Sequence, residues 1–207
     1  MGSGKTLVIR VVGPKTPKEP GLSKRPGFVN TTSRASVGWQ KGLSPFFLGP
    51  VPLYPGAVLE QAKNVENAWQ YAKVYATHLN PRGYPNADYF RWAKEGWSNP
   101  RAVRYPMGKG AVPEYSWWGG EKLTYVEARK RIYVPCYTRA VMGSLAFERL
   151  RTLYRERGEV ILWDFDGYDY TSLGMTLKEV LNDPTRKMGH GFVLAMLLEQ
   201  LAEKGTL

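Results

Sequence analysis

Gly158 divides the most constraining stretch of the chain. Before it, residues 137–157 read as one long helix, with Val141, Leu145, Leu150 and Leu153 at the inward positions. The glycine then ends that helix, because it alone tolerates the left-handed turn a terminating residue needs. After it, residues 159–164 read EVILWD, a short buried strand that runs into Asp164, Asp166 and Asp169. The expected class is α+β, mainly α-helical, as a single compact domain with a few short strands.

The remaining segments fit that class. Residues 7–12 (LVIRVV) read as a strand, and residues 13–27 as a loop or arm rich in Pro, Lys and Gly. Residues 28–30 form a short strand. Residues 43–53 are apolar but carry three prolines, so they are irregular or an edge. Residues 64–78 are predicted helical, capped by Asn64, with Val65, Ala68, Trp69, Ala72 and Ala76 on one apolar face. Residues 80–120 read as loop-rich and aromatic. A second helix is expected over residues 124–133, where Thr124 and Glu127 write a capping box, and Pro135 should break or kink it. A third capping signal, Thr176 with Glu179, opens a short helix, and residues 192–203 close the chain with an apolar one. Residues 1–27 are assigned to an N-terminal strand and basic arm, and residues 28–207 to the domain.

Charge and composition narrow the function classes. The 207 residues carry a formal net charge of +11, a field that attracts phosphates, in a nucleotide or in nucleic acid. No run approaches the roughly 18 apolar residues of a membrane helix. The apolar run near the N-terminus is too short for a signal peptide, so a cytoplasmic location is expected. The single cysteine, Cys136, excludes an internal disulfide and a cysteine-based zinc site, and its apolar setting points to a buried bystander. Met1–Thr6 reads MGSGKT, the ending of a P-loop without the upstream glycine or preceding strand. A strand-like run follows where a helix should, so a working P-loop is not expected.

Three places could carry chemistry. Glu66, Gln70 and Lys73 stand at steps of four and three, neighbours on one helical face. That is either a solvated stripe or a pocket carboxylate, with Lys73 holding Glu66 ionised. Asp164, Asp166 and Asp169 follow the buried strand. They read as a polar turn or as ligand groups at a strand end. Trp92, Trp97, Trp117 and Trp118, interleaved with Arg91, Arg101, Arg104 and Lys109, could stack a base and grip phosphate, or simply pack the core. No His, Cys, Asp and Glu set has convincing metal-ligand spacing, and no metal or cofactor is expected.

The order of these blocks resembles the NADAR superfamily, the NAD- and ADP-ribose-associated proteins. The resemblance begins at Gly27-Phe28-Val29-Asn30 and continues through Leu43-Ser44-Pro45-Phe46 with Pro50 and Pro52. Its most specific block is Glu66-Asn67 followed by Gln70 and Lys73, where the family usually has Glu-His followed by Gln and Lys. Met107-Gly108-Lys109 with Trp117 or Trp118, the acidic element near Trp163, and Met188-Gly189-His190-Gly191-Phe192 are similar to later blocks. The chain departs from the family at Asn67, at Asp166-Gly167-Tyr168-Asp169 in place of a Trp-Gly pair, and at Met188 in place of Asn.

The resemblance implies a small, mostly helical fold and an N-glycosidase. Its substrate would be a phosphorylated ribose compound, such as a ribosylated pyrimidine or ADP-ribosylated guanine, including guanine in nucleic acid. Cleavage of that bond builds positive charge on the sugar. The catalytic assignment is Glu66 first, then Asp166 or Asp169, with Lys73 as a donor. Asn30, Gln70, Arg104, Lys109, Trp118 and Trp163 are assigned to the substrate. Two alternatives use the same features. One is a non-catalytic module that binds ADP-ribose, a nucleotide or nucleic acid. The other is an accessory enzyme acting on modified DNA bases, favoured by the basic arm of Lys15, Lys18, Lys24 and Arg25.

Overall fold

The computed structural model describes residues 7–207; the MGSGKT motif lies outside them. In chain order the strands are β1 (Val8–Val12), β2 (Phe28–Asn30), β3 (Val51–Pro52), β4 (Gln61–Ala62), β5 (Lys73–Val74), β6 (Tyr115–Trp118), β7 (Glu121–Leu123) and β8 (Glu159–Trp163). The helices are α1 (Gly38–Lys41), α2 (Val65–Gln70), α3 (Ala87–Ser98), α4 (Tyr125–Ala128), α5 (Val134–Met142), α6 (Leu145–Arg157), α7 (Leu177–Asn182) and α8 (His190–Glu203). A π turn (Arg129–Tyr133) joins α4 to α5. Helix outweighs strand, 39% against 14%, in an α+β fold. The described residues up to Ser44 form one compact unit with Val141–Leu207, and Pro45–Ala140 form another.

The first unit is built on a parallel three-stranded sheet of order β1-β8-β2. Val8 pairs with Glu159 and Val12 with Trp163 on one side of β8; Phe28 pairs with Ile161 and Asn30 with Trp163 on the other. The central strand is apolar throughout because it is covered on both faces: Val160, Ile161 and Leu162 are fully buried. α8 packs on β1 and β8, and α6 on β8. Parallel strands put all their C-terminal ends on one edge, so Val12, Asn30 and Trp163 share it. The expected terminator holds: Gly158 closes α6 at φ 76°.

One expectation for this unit is corrected. Residues 137–157 are two helices, broken at Gly143 and restarted by Ser144, whose side chain accepts from the Phe147 N–H. Leu145, expected to face inward, is 83% exposed, because the new cap restarts the helical phase. Val141 and Leu150 are buried as expected.

The second unit has two antiparallel sheets, β3-β4 and β5-β6-β7. β6 and β7 are joined through Gly119 and Gly120, both at positive φ, the two-residue hairpin turn that only such residues form easily. Three corrections fall here. The helix expected over residues 64–78 stops at Gln70, because Lys73 and Val74 give their backbone to β6 and Ala76–His78 is a short 3-10 turn. The stretch read as loop contains α3, twelve residues long, whose cap Asn86 accepts from the Tyr89 N–H. Its buried positions Tyr89, Ala93, Gly96 and Trp97 have helical spacing. Finally, Pro135 breaks nothing: the chain stays helical from α4 through α5. The π turn immediately before Pro135 loosens the repeat where the ring would meet the carbonyl four residues back.

Aromatic rings fill the core of this unit. Trp92 packs against Tyr71 at 4.6 Å and His78 at 4.7 Å between ring centres. Tyr89, fully buried, donates to the Tyr71 carbonyl at 3.2 Å, and burial holds its phenol well above the usual range. Among the described residues no helix is long and apolar enough to cross a membrane.

Candidate active site

The strongest constellation of predicted residues lies on α2 and β5. Asn64 accepts from the Asn67 N–H at 2.8 Å and fixes the start of α2. One turn then places Glu66 and Gln70 side by side, both buried. Gln70 donates through Nε2 to Glu66 Oε1 at 2.9 Å, and Lys73 donates through Nζ to Gln70 Oε1 at 2.7 Å. An ammonium can only donate, so it fixes the amide with oxygen toward Lys73 and NH2 toward the carboxylate. The spacing is the one read from the sequence, although Lys73 sits on a strand and not on the helix. The Lys73 ammonium also lies 5.0 Å over the Trp69 ring.

Trp69 opens onto a second group of side chains. Its ring stands 5.2 Å from Tyr133 and 6.3 Å from Tyr125. The buried Arg129 guanidinium lies 4.1 Å over the Tyr125 ring. The π turn that carries Arg129 and Tyr133 packs against α2. Neither Trp69 nor Tyr125 was picked out from the sequence as a ligand group. The available signal was Tyr125, Arg129 and Tyr133 at steps of four.

Asn67, which stands where the resemblance has His, is fully buried and fully used. Its Nδ2 donates to the carbonyls of Asn99 and Arg101, each at 2.9 Å, and its Oδ1 accepts from the Val103 N–H at 2.9 Å. Trp118 shares a sheet face with Ser116, the cross-strand partner of Lys73, and its ring meets Tyr54 at 5.0 Å. Arg104 lies 5.5 Å over its neighbour Tyr105, and Lys109 is exposed in a turn. The structure thus brings Glu66, Gln70 and Lys73 together and sets Lys109 on the surface.

The other predicted residues belong to the first unit. Asn30 ends β2, where its Oδ1 accepts from the N–H and hydroxyl of Thr32 at 3.0 and 2.8 Å. Trp163 ends β8, its ring 5.2 Å from Phe165. Asp166 donates its backbone N–H to Asp164 Oδ1 at 3.3 Å. Asp169 accepts from Thr171, Ser172 and Arg10, the last at 3.3 Å. Burial raises its carboxyl, but those hydrogen bonds and the Arg10 charge outweigh it and leave the group below its ordinary value.

Asp164 is the residue the sequence reading undervalued. It is buried at the end of β8, and Oδ2 accepts from the Gly191 N–H at 2.8 Å. His190 Nδ1 faces the same oxygen at 3.2 Å, while His190 Nε2 meets the Thr31 carbonyl at 2.7 Å. A carbonyl only accepts, so the Nε2 contact with Thr31 is made by an N–H, which sets the tautomer and orientation of the ring against Asp164. A side chain at Gly189 would put its Cβ 2.1 Å from Asp164 Oδ2, which is why glycine stands there. The carboxylate caps α8 from outside the helix and closes its positive end. An acid after a buried strand and a Gly-His-Gly at a helix start were the signals for this clasp.

Burial decides the state of the one cysteine. Cys136 is 7% exposed and its thiol is pushed up to about 11 by burial, against the opposing charge of Arg139, so it is no thiolate at neutral pH. Among the described residues no group of three His, Cys, Asp or Glu side chains could hold a metal ion.

These features describe an α+β protein whose strongest predicted constellation is a buried carboxylate–amide–ammonium relay beside an aromatic wall. The chain belongs to the family described as "Family of unknown function (DUF6939)", whose pattern matches residues 24–177. That match takes in both β2 and the relay. No curated protein and no solved structure matches the chain.

Proposed function

We propose that this chain is an N-glycosidase of the NADAR type, which hydrolyses the bond between a base and the ribose of a phosphorylated, nucleotide-like substrate. The observation that carries the reading is the Glu66–Gln70–Lys73 relay: a buried carboxylate held in one orientation by an amide that a lysine itself orients. Water attacks the anomeric carbon and gives its proton to Glu66, while the base leaves with the bonding electron pair. The departing nitrogen takes a proton from the Lys73 side. Charge on the sugar peaks in the transition state, where a fixed carboxylate is worth most. Asp166 is the reserve carboxylate. Asp169 is a weaker one, since Arg10, Thr171 and Ser172 already occupy it. Arg104 and Lys109 are assigned to phosphate, and Trp118 to the substrate side.

The test is chromatographic analysis of products from ADP-ribosylated guanosine, ADP-ribosylated DNA and a phosphoribosylated pyrimidine. Glu66→Gln keeps the size and removes the charge, and turnover should fall by about 10²–10⁴-fold with ligand affinity retained. Unchanged turnover removes Glu66 from the chemistry. Binding without product from any substrate replaces the hydrolase reading with that of a binding module.

A further inference from the structure

The aromatic wall beside the relay has a shape that packing alone does not demand. Tyr125 is the first residue of α4 and stays 40% exposed. The Arg129 guanidinium lies over its ring at 4.1 Å, so the exposed part of the side chain lies away from that cation. Trp69, half-buried, stands 6.3 Å away between Tyr125 and the Lys73 ammonium, which lies 5.0 Å over the indole. Two cations therefore flank two aromatic surfaces.

The π turn that accommodates Pro135 also sets this arrangement. Residues four apart on an α-helix advance about 40° past a full turn, so Tyr125, Arg129 and Tyr133 would fan away from one line. The wider π turn over Arg129–Tyr133 offsets that drift and returns Tyr133 to the Trp69 side, where their rings meet at 5.2 Å. Single π turns inside α-helices are frequent at functional sites.

We propose that Tyr125 and Trp69 form the stacking shelf for a planar heterocycle, with Lys73 and Arg129 supplying the positive potential that favours a phosphorylated one. The ligand class is a mononucleotide-like compound: a flat base joined to an anionic sugar phosphate. This rests on placing the ligand site at the Glu66 relay, but not on turnover. It replaces Trp118 as the base-stacking residue.

The experiment is calorimetric titration of the full chain with AMP, using wild type, Tyr125→Ala and Tyr125→Phe. Stacking on one ring corresponds to roughly tenfold in affinity. Tyr125→Ala should therefore bind AMP about tenfold more weakly, with Tyr125→Phe within about twofold of wild type. The melting temperature of Tyr125→Ala should stay within about 2 °C of wild type, as for an exposed ring. Absence of AMP binding by wild type, equal binding by Tyr125→Ala, equal losses in both variants, or a large fall in melting temperature would each overturn the shelf. Failure of the glycosidase reading looks different: AMP binding that depends on Tyr125, with no base released from any substrate, keeps the shelf and removes the hydrolase.

Discussion

Replacing Asp164 by Ala tests whether the clasp at the end of β8 is architecture or chemistry. The carboxylate is 2% exposed, and three groups converge on it: the Gly191 N–H at 2.8 Å, the Asp166 N–H at 3.3 Å and the His190 ring at 3.2 Å. Removing it strands Gly191, a buried donor, which costs about 1–3 kcal/mol. It also takes away the partner of the buried His190 ring, a loss that overlaps the first. The expected destabilisation is about 3 kcal/mol, because one side chain serves all three groups. For a chain of this length, 1 kcal/mol moves the melting temperature by about 2–4 °C, so calorimetry should show a fall of about 6–12 °C. A double-mutant cycle with His190→Ala should show coupling of about 0.5–3 kcal/mol. A melting temperature for Asp164→Ala within 2 °C of wild type would refute the reasoning, since it would mean those groups find other partners.

Two more outcomes follow from buried groups. Asn67→Ala removes three hydrogen bonds to backbone between Asn99 and Val103, so it should destabilise the chain by about 2–3 kcal/mol and speed proteolytic cleavage there, read by mass spectrometry of limited digests. Cys136, with its thiol at about 11, holds about one thiolate in a thousand at pH 8, so native protein should resist iodoacetamide that labels the unfolded chain readily. The labelling rate should rise tenfold per pH unit until that value is approached; a rate at pH 8 matching the unfolded chain would show that the thiol is open.

What the sequence made legible was whatever depends on neighbours along the chain. The Thr124–Glu127 and Thr176–Glu179 capping boxes are both present, Asn64 caps α2, and Gly158 ends α6, because each is decided within four residues. Residues 64–78 were misread for the opposite reason. Their helical periodicity continues past Gln70, but β6, some forty residues later, takes the backbone of Lys73 and Val74, and no local pattern announces it. α3 was missed because Trp92, Trp97 and Arg91 drew the reading toward a ligand loop, while the apolar spacing of Tyr89, Ala93 and Trp97 was present all along. Asp164 was passed over in favour of Asp166 and Asp169. Its importance comes from Gly189, His190 and Gly191, which meet it only once β8 and α8 have packed.

The position of Asn67 bears directly on how far the departures from the NADAR pattern matter. The resemblance has His at this position, so Asn67 would count against the proposed activity if its side chain reached the ligand. Here its amide oxygen and both amide hydrogens hold the backbone from Asn99 to Val103, and the residue is wholly buried. The relay one residue earlier runs from Glu66 through Gln70 to Lys73 without it. Asn67 therefore acts as scaffold for the loop that leads to Arg104, and its substitution subtracts no group from the proposed chemistry. Asn67→His would separate these roles. An imidazole cannot make all three bonds, so stability should fall while any residual turnover per folded molecule persists; a gain in turnover at unchanged stability would mean that this position touches substrate after all.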